Sequence, residues 1–408
     1  MSDPQTTAQA PDGSAAGSLP MDAPLLILLS ATSAVSPFAL IVLAPALGAL
    51  AQQYAVGSGN IQFLISAYVL GIACAQPVSG ILCDRLGRRP VLLGGFACLV
   101  IASIVCAFVE RLDVLIALRF LQGAGASVGT VTSRAVVRDM HDDANAARAM
   151  SYIAAFMGLA PILAPAVGGI VSASYGPQSV FLLSAALGAV IWTWALVKYP
   201  ETADPRGHDH PTLHQWFDSY KQLVRSRVFV GYSLMYGLAQ AVFLTFMTVG
   251  AAVFAHDLGR DSTYFGITWG SLAIAYVSGA MICGKLTMSF GQRRLLRFGL
   301  TTLLIGGWLL LALIAVFGVT FWTLIAPLLI LSLANGIVTP LSLAGAISYR
   351  PMIAGSSSGL SSAIGLSLSG VFTIIAGAVY VDSFWPVAVI MTGLATLAAA
   401  TGWLTRGE

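Results

Sequence analysis

Charged residues are scarce in this chain of 408 residues: Asp, Glu, Lys and Arg make up 9% of it, and hydrophobic residues make up 57%. Soluble domains carry roughly 25% charged residues, so the sequence cannot cover a water-facing surface and must be solvated by lipid. In a chain solvated by lipid, the net charge of +3 is weak evidence for nucleic-acid binding. We interpret the excess cations as membrane-facing and expect no nucleic-acid partner.

Motifs for catalysis and metal binding are missing as well. The sequence has no HExxH element, nucleophile elbow, phosphate loop or Cys–His pairing. Its five cysteines have no metal-ligand spacing, so we interpret them as packing residues. His208, His210 and His214 are close together in a polar stretch, where solvated histidines are more common than a metal site. We expect neither an enzyme nor a bound cofactor or metal.

The first twenty residues contain no Lys or Arg and are rich in Ala, Gly, Ser and Pro. A signal peptide starts with basic residues before its apolar core, so this segment does not resemble one. We predict a disordered tail over 1–22 and a first membrane span that is retained.

Long apolar runs dominate the rest of the chain, and each is close to the roughly 20 residues that cross a bilayer. They predict an all-α integral membrane protein with twelve transmembrane helices, six on each side of the polar stretch 199–227. The predicted spans are 24–50, 60–82, 91–109, 114–137, 147–172, 179–198, 228–254, 264–288, 296–318, 322–346, 356–380 and 384–404.

The polar stretch 199–227 is predicted to be a cytoplasmic linker that contains an amphipathic helix over 211–224. Its apolar residues recur at helical spacing, which suits a helix that lies along the inner membrane surface and tethers the two halves. These residues are Leu213, Trp216, Phe217, Tyr220 and Leu223.

A short segment occurs twice. Residues 80–89, GILCDRLGRR, recur in altered form at 284–293, GKLTMSFGQR, an offset of 204 in a chain of 408. Each copy follows the second span of its half. The repeat predicts two pseudo-symmetric six-helix bundles, 23–198 and 228–405, around a shared substrate path.

Lysine and arginine placement predicts the orientation. With both termini cytoplasmic, seventeen of the basic residues lie on the cytoplasmic side, two lie outside and Arg119 lies within a span. This is a strong positive-inside bias. We therefore expect a multi-pass membrane protein with both termini on the cytoplasmic side.

The first copy of the repeat resembles the signature loop of the major facilitator superfamily. Gly80 lets neighbouring helices approach, Gly87 permits a tight turn, and Asp84 can cap a helix and pair with arginines that differ between conformations. The alternative is a plain topogenic arginine loop. Met288 replaces the acid in the second copy, which predicts a weaker charge latch there. The motif comprises Gly80, Asp84, Arg85, Gly87, Arg88 and Arg89.

Span four contains Arg119, Gln122 and Gly123, which resemble the Arg-x-x-Gln-Gly element that drug:proton antiporters use in proton coupling. An arginine inside a span usually faces a wet cavity or an anionic partner, and the three residues share one helical face. Alternatively, Arg119 snorkels to the outer interface. Under the first interpretation, these residues are a coupling or substrate site.

Span five resembles the glycine- and proline-rich element of the antiporter branch, with Ala160 and Ala164 in place of its first two glycines. Small residues make a smooth ridge and the prolines favour a bend, so this helix is expected to rock against its neighbour. An ordinary proline kink is the alternative. The matching residues are Pro161, Pro165, Gly168 and Gly169.

One departure from the antiporter pattern concerns charge. Ile41 stands where the branch commonly has an acid in span one, and no Asp or Glu falls deep inside any predicted span. A buried carboxylate is the usual proton carrier, so proton coupling is in doubt. A cavity with Arg119 and no carboxylate is expected to favour neutral or anionic solutes over lipophilic cations.

Taken together, the chain resembles the Bcr/CflA-type multidrug exporters of the drug:proton antiporter branch. The resemblance implies a secondary transporter of the bacterial inner membrane that exports small amphiphilic drugs or metabolites in exchange for protons, a coupling that the missing acid puts in doubt. We expect the protein to act as a monomer in the lipid bilayer. A facilitator or uptake carrier without classical proton coupling is the alternative, and a membrane enzyme or receptor-like scaffold is a third. Predicted cavity residues are Phe38, Tyr68, Phe156, Met157, Tyr236, Gln240, Phe243, Trp269 and Asn335.

Overall fold

The computed structural model describes residues 23–56, 61, 63–202, 213–260, 262–380 and 383–402. The predicted tail over 1–22 lies outside these residues, as do His208 and His210. Within the described residues, all regular elements are helices. The predicted all-α fold class is confirmed.

The N-terminal half is built from six spans, two of which are interrupted. Its helices are α1 (Ala23–Ile41), α2 (Leu47–Gln53), α3 (Phe63–Leu86), α4 (Arg88–Cys106), α5 (Leu112–Met140), α6 (Asp143–Met157), α7 (Ala160–Tyr175) and α8 (Ser179–Lys198).

A linker helix and the C-terminal half follow. The linker helix is α9 (Leu213–Arg225), and the six helices after it are α10 (Arg227–His256), α11 (Ser262–Phe290), α12 (Gln292–Phe317), α13 (Phe321–Ser348), α14 (Ala354–Val379) and α15 (Trp385–Thr401). Eleven of the described spans are long and apolar enough to cross a membrane, and α15 is a shorter apolar helix of 17 residues. That length is still at the lower end of the range for transmembrane helices.

The two interrupted spans have a backbone cause. Gly158 and Leu159 separate α6 from α7, and Pro161 lies in the first turn of α7. A proline has no N–H to donate, so it fits the start of a helix and not the continuation of one. The predicted bend in span five is therefore a break between two helices. Pro45 marks a similar break between α1 and α2.

Glycines set the closest helix crossing in the N-terminal half. A Cβ atom on Gly71 of α3 would collide with the carbonyl oxygen of Phe120, and one on Gly123 of α5 would collide with that of Tyr68. The two helices therefore cross backbone to backbone, which small residues permit inside membranes.

The C-terminal half repeats this crossing between α11 and α13. A Cβ atom on Gly279 would collide with the carbonyl oxygen of Leu333, and one on Gly336 would collide with that of Tyr276. Reciprocal glycine contacts between the second and fourth spans of each half are what a duplicated bundle requires.

The halves contact each other at the end of the molecule that holds the turn at Gly87 and the helix α9, which we call the linker end. There α3 packs against α14, and α6 packs against α11 and α13. A Cβ atom on Gly80 of α3 would lie 2.5 Å from the carbonyl oxygen of Gly355. The Ser151 hydroxyl donates to Cys283 Sγ across the same interface, at 3.0 Å.

The linker helix α9 contacts both halves. Its Tyr220 hydroxyl donates to the carbonyl oxygen of Pro77 in α3 at 2.7 Å, and Gln222 accepts from Arg350 of the C-terminal half at 2.6 Å. Leu223 is buried against Phe229 and its neighbours. Burial raises the pKa of Tyr220, so its phenol remains a protonated donor at physiological pH. The tethering role predicted for this segment therefore has direct contacts, while its place on a membrane surface stays a prediction.

Candidate functional site

Asp84 joins the two halves at the linker end. It lies in the last turn of α3, and its carboxylate accepts hydrogen bonds from the backbone N–H groups of Gly355 at 3.0 Å and Ser356 at 2.7 Å. These two donors belong to the first turn of α14, in the other half. A helix N-terminus carries unpaired N–H groups and a partial positive charge, so a carboxylate is its natural partner.

Arg88 holds this carboxylate from the other side. Its guanidinium lies 3.2 Å from Asp84 and 3.0 Å from Asp139, and it donates to the carbonyl oxygen of Cys83 at 2.7 Å. The arginine is only 4% exposed. One buried cation therefore compensates two carboxylates, of which only Asp84 also touches the other half. We call the set Asp84, Arg88 and Asp139 the charge latch.

Glu201 supports the turn between α3 and α4, and sequence reasoning missed it. Its carboxylate accepts from the backbone N–H groups of Arg88 at 2.9 Å and Arg89 at 3.1 Å, so it caps α4 from the start of the linker. Gly87 turns with φ +99°, and a Cβ atom there would lie 2.5 Å from Glu201 Oε2. This pairing spans 113 residues, and no local pattern announces it.

The outer residues of the loop motif have separate positions. Arg85 is exposed. Arg89 is half-buried, and its guanidinium donates to the carbonyl oxygen of Leu196 at the end of α8, at 2.7 Å. The charged residues of the motif therefore occupy two places. Asp84 and Arg88 belong to the charge latch, and Arg85 and Arg89 lie on the surface of the N-terminal half.

Arg119 lies deep inside the N-terminal half and is 1% exposed. Its guanidinium donates to the carbonyl oxygens of Leu64 at 3.2 Å and Ala39 at 3.3 Å, and to the side chain of Gln122. It also lies over the ring of Tyr68, 4.2 Å from the ring centroid. This burial excludes the alternative in which Arg119 snorkels to the interface.

Gln122 and Gly123 complete this arrangement. The Gln122 amide donates to the Ser103 hydroxyl of α4 at 2.6 Å, and Gly123 provides the close crossing with α3. The Arg-x-x-Gln-Gly element therefore fastens α1, α3 and α4 to α5. Arg119 is not among the residues that line the cavities described below.

The glycine- and proline-rich element packs on the end of the first span. Gly168 lies against Val42, and Gly169 is in ordinary contact with Pro45. Pro161 starts α7 and Pro165 lies within it. Just before this element, Gly158 lies against Tyr276 and Val277 of the other half. The helix break thus lies at the interface between the halves.

A cavity of about 50 Å³, lined by both polar and apolar side chains, lies between the halves, and we call it the central cavity. It includes three of the predicted cavity residues, Met157, Tyr236 and Gln240, together with Arg134, Tyr276 and Thr339, which sequence reasoning had not placed there. The full lining is Arg134, Met150, Ile153, Ala154, Met157, Tyr236, Gln240, Tyr276, Thr339, Pro340 and Leu343.

A second, apolar pocket lies within the C-terminal half. Helices α10, α11 and α13 line both this pocket and the central cavity. Phe243 and Asn335 line the apolar pocket, and the Phe243 ring packs against Trp269 with centroids 4.7 Å apart and against Tyr276 at 6.2 Å. Asn335 is 1% exposed, and among the residues that the structure describes neither its amide nitrogen nor its amide oxygen has a hydrogen-bond partner.

The remaining predicted cavity residues have other positions. Tyr68 is fully buried beneath Arg119 and donates to the carbonyl oxygen of Ser36 at 2.9 Å. Phe38 is half-buried, and Phe156 is 39% exposed at the surface. In the part of the chain that the structure describes, no cluster of three or more His, Cys, Asp or Glu residues has the geometry of a metal site.

Comparisons with known proteins agree with this architecture. The family model for the Major Facilitator Superfamily matches residues 29–255, which is 227 of 408 residues. The chain is 30% identical to multidrug resistance protein D of Escherichia coli strain K12, over 82% of this chain and 84% of that protein. It is 27% identical to the chloramphenicol resistance protein of Pseudomonas aeruginosa, over 93% of this chain and 90% of that protein.

Two solved structures show the same fold at low sequence identity. The human organic anion transporter MFSD10 (TETRAN) has a TM-score of 0.71 and 17% identity, and the match covers 95% of this chain and all of that one. The proton:xylose symporter XylE has a TM-score of 0.74 and 14% identity, covering 93% and 94%. With a family model across more than half its length and drug-resistance transporters among its relatives, this chain belongs to the Major Facilitator Superfamily and is a multi-pass membrane transporter.

Proposed function

We propose that this protein is a secondary transporter that exports small amphiphilic drugs or metabolites, neutral or anionic, across the bacterial inner membrane by alternating access. The observation that carries the proposal is the Asp84 bridge to the first turn of α14, in a molecule that also has a cavity between its halves. A latch that joins two duplicated bundles at one end is suited to close a substrate path there. Relatives named for multidrug and chloramphenicol resistance support the direction of export.

The positive-inside bias supports the assignment of the linker end to the cytoplasm. In that orientation the charge latch would close the cytoplasmic side, and the central cavity would open towards the outside in this conformation. Release of substrate would occur in this state, and the latch would open for loading. Both chain termini would be cytoplasmic.

The strength of the latch suits reversible opening. Two hydrogen bonds to a charged acceptor contribute about 1.5–3 kcal/mol each, which conformational free energies can balance. When α14 moves away, Asp84 keeps Arg88 as its counter-ion, so opening does not leave an unpaired buried charge. Arg119, Gln122 and Gly123 would keep the helices of the N-terminal half together during this movement, which is how we assign them a coupling role.

A facilitator or uptake carrier remains the second candidate, because one observation favours it. Across the spans predicted from the sequence, no Asp or Glu lies deep in the membrane, and Ile41 occupies the position where the antiporter branch has an acid. Counterflow in proteoliposomes separates the candidates. An imposed proton gradient should accelerate substrate movement through an antiporter and leave a facilitator unaffected.

Export itself is tested with purified protein in proteoliposomes loaded with amphiphilic drugs, chloramphenicol among them. We expect saturable transport of neutral or anionic compounds. Asp84→Asn should slow this transport, because the variant weakens the hydrogen bonds to α14. Robust saturable transport of a quaternary cation would contradict the charge preference. Absence of transport for every compound would contradict the assignment as an exporter.

A further inference from the structure

Arg134 is a buried arginine in the wall of the central cavity. It lies on α5, fifteen residues after Arg119, which is about 22 Å along a helix at 1.5 Å per residue. The residue is 7% exposed. Arg119 and Arg134 thus occupy different environments: one is enclosed by the N-terminal half, and the other faces the space between the halves.

No described carboxylate compensates the Arg134 charge. Its Nη1 atom donates to the Ser362 hydroxyl of α14 at 2.6 Å, which is a neutral acceptor. The nearby arginines differ, since Arg88 pairs with Asp84 and Asp139, and Arg138 pairs with Asp143 at 2.7 Å. Among the residues that the structure describes, no Asp or Glu lies within ion-pair distance of Arg134, and no Asp or Glu lines the central cavity.

A buried cation without a counter-ion is costly in a medium of low dielectric, so such a group favours an anion that enters the cavity. The groups around it suit the oxygen atoms of an anionic head group. Gln240 can donate from its amide, while Tyr276 and Thr339 share a hydrogen bond of 3.3 Å and can redirect their hydroxyls. A planar guanidinium matches a carboxylate in particular, because it can donate two parallel hydrogen bonds.

We propose that Arg134 is the anion-binding group of the central cavity and that the preferred substrates are amphiphilic carboxylates. This inference rests on the proposed function and narrows its substrate class. A cavity of about 50 Å³ accommodates a head group and not a drug-sized molecule. The apolar body of the substrate would therefore extend along α10 towards Phe243 and Trp269, whose rings pack in a tilted arrangement with centroids 4.7 Å apart.

A purely structural role makes a different prediction. The bond between Arg134 and Ser362 also connects α5 to α14, so Arg134 could act only as a second clamp between the halves. A clamp alters the conformation that binds every ligand, whereas an anion site alters the binding of anions alone. The ratio of affinities for charged and uncharged ligands separates these roles.

The test uses three ligands with one aromatic body: 2-naphthoate, 2-naphthamide and 2-naphthylmethylammonium. Their dissociation constants are measured by thermal-shift titration of the full-length protein in an uncharged detergent. We expect naphthoate to bind about tenfold more tightly than naphthamide, as befits a hydrogen bond between charged groups, and the ammonium ligand to bind most weakly. Arg134→Gln should remove the difference between naphthoate and naphthamide without weakening naphthamide.

Three further variants control for folding and for the clamp. Arg134→Lys keeps the charge and should retain part of the preference for naphthoate. Ser362→Ala breaks the bond to α14 and should leave the preference intact. Arg148→Gln removes an arginine outside the cavity lining and should change nothing. If Arg134→Gln does not fold, Arg134→Lys and Ser362→Ala decide, because equal loss of both ligands in these variants identifies a clamp and overturns the proposal.

The proposal is also overturned if the wild-type protein binds naphthoate no better than naphthamide, or if Arg134→Gln keeps the preference. Its failure is distinguishable from failure of the proposed function, because binding at equilibrium does not depend on transport direction. An Arg134-dependent preference without export in proteoliposomes would refute the exporter alone. Export without that preference would refute the anion site alone.

Discussion

The two halves share a skeleton but not their polar chemistry. Glycines at equivalent crossings, Gly123 in α5 and Gly336 in α13, pack against the backbones of Tyr68 and Tyr276. With these crossings as the reference, Gln122 corresponds to Asn335. The contacts that hold each bundle were kept after duplication, since helix packing leaves backbone crossings little freedom.

Polar residues at the corresponding positions have diverged. On this alignment of α5 with α13, Arg119 corresponds to Ser332. In the repeated segment, which has an offset of 204, Asp84 corresponds to Met288, which is 48% exposed. The Gln122 amide has partners in Arg119 and Ser103, whereas the Asn335 amide has none in the described part of the chain. The N-terminal half thus carries the latch and the buried charges. The C-terminal half contributes the backbone N–H groups of α14 that donate to Asp84, and the aromatic wall of the apolar pocket.

The largest expected effect comes from the centre of the latch. Arg88→Met leaves Asp84 and Asp139 buried without a cation, and removal of one partner from a buried ion pair costs about 3–5 kcal/mol. We expect a large loss of thermal stability in the purified protein. The control is Gln292→Met at the corresponding position of the second half, where only one bond to the carbonyl of Leu341 is lost. Equal losses of thermal stability in Arg88→Met and Gln292→Met would contradict this difference between the two halves.

A steric change at the crossing of α3 and α14 is expected to shift the conformational equilibrium. The added Cβ atom of Gly80→Ala would lie 2.5 Å from the Gly355 carbonyl oxygen, and backbone cannot yield there as a flexible side chain can. We expect the distance between spin labels on the linker ends of α3 and α14 to increase, and transport to fall.

Gly370→Ala is the matched control, since nothing lies within 4 Å of its added Cβ atom on the same helix α14. It should leave both the label distance and transport unchanged. An unaltered label distance in Gly80→Ala would show that the crossing does not hold the linker end closed.

Corresponding amides in the two halves should respond in opposite directions to the same substitution. Asn335→Leu removes an amide without partners from an apolar pocket and should stabilise the protein by about 1–3 kcal/mol. Gln122→Leu should destabilise it by a similar amount, because Arg119 and Ser103 lose a partner. Chemical denaturation in detergent measures both. Destabilisation by Asn335→Leu would indicate that the Asn335 amide has a partner in the working protein.

The smallest effect is expected at the turn before α4. Glu201→Gln keeps the shape of the cap but removes the charge that faces two backbone N–H groups, which should cost about 0.5–1 kcal/mol. The corresponding turn of the second half, at Gly291 with φ +77°, has nothing within 4 Å of a Cβ atom built on it. A melting temperature equal to that of the wild type would show that Glu201 adds nothing to a turn that glycine alone can make.

Much of the architecture was predictable because lipid imposes strong local rules. The twelve spans agree with the observed helices within a few residues at most ends, as in 179–198 for α8 and 228–254 for α10. The repeat at an offset of 204 likewise predicted matching helix arrangements. Interruptions were harder to predict, since Pro45 and Pro161 end helices only in combination with their tertiary surroundings.

The sequence by itself determined that this is a duplicated bundle of apolar helices with a charged turn after the second span, because hydropathy and repeats are local properties that lipid selects directly. Only the tertiary structure decided which charges find partners. Arg119 and Arg134 lie on the same helix, yet one is enclosed by carbonyl oxygens and the other faces a cavity without a carboxylate. The tertiary structure also pairs Glu201 with the start of α4, 113 residues away in the chain. The physical reason is that desolvation and charge compensation depend on neighbours in space, which a local sequence pattern does not contain.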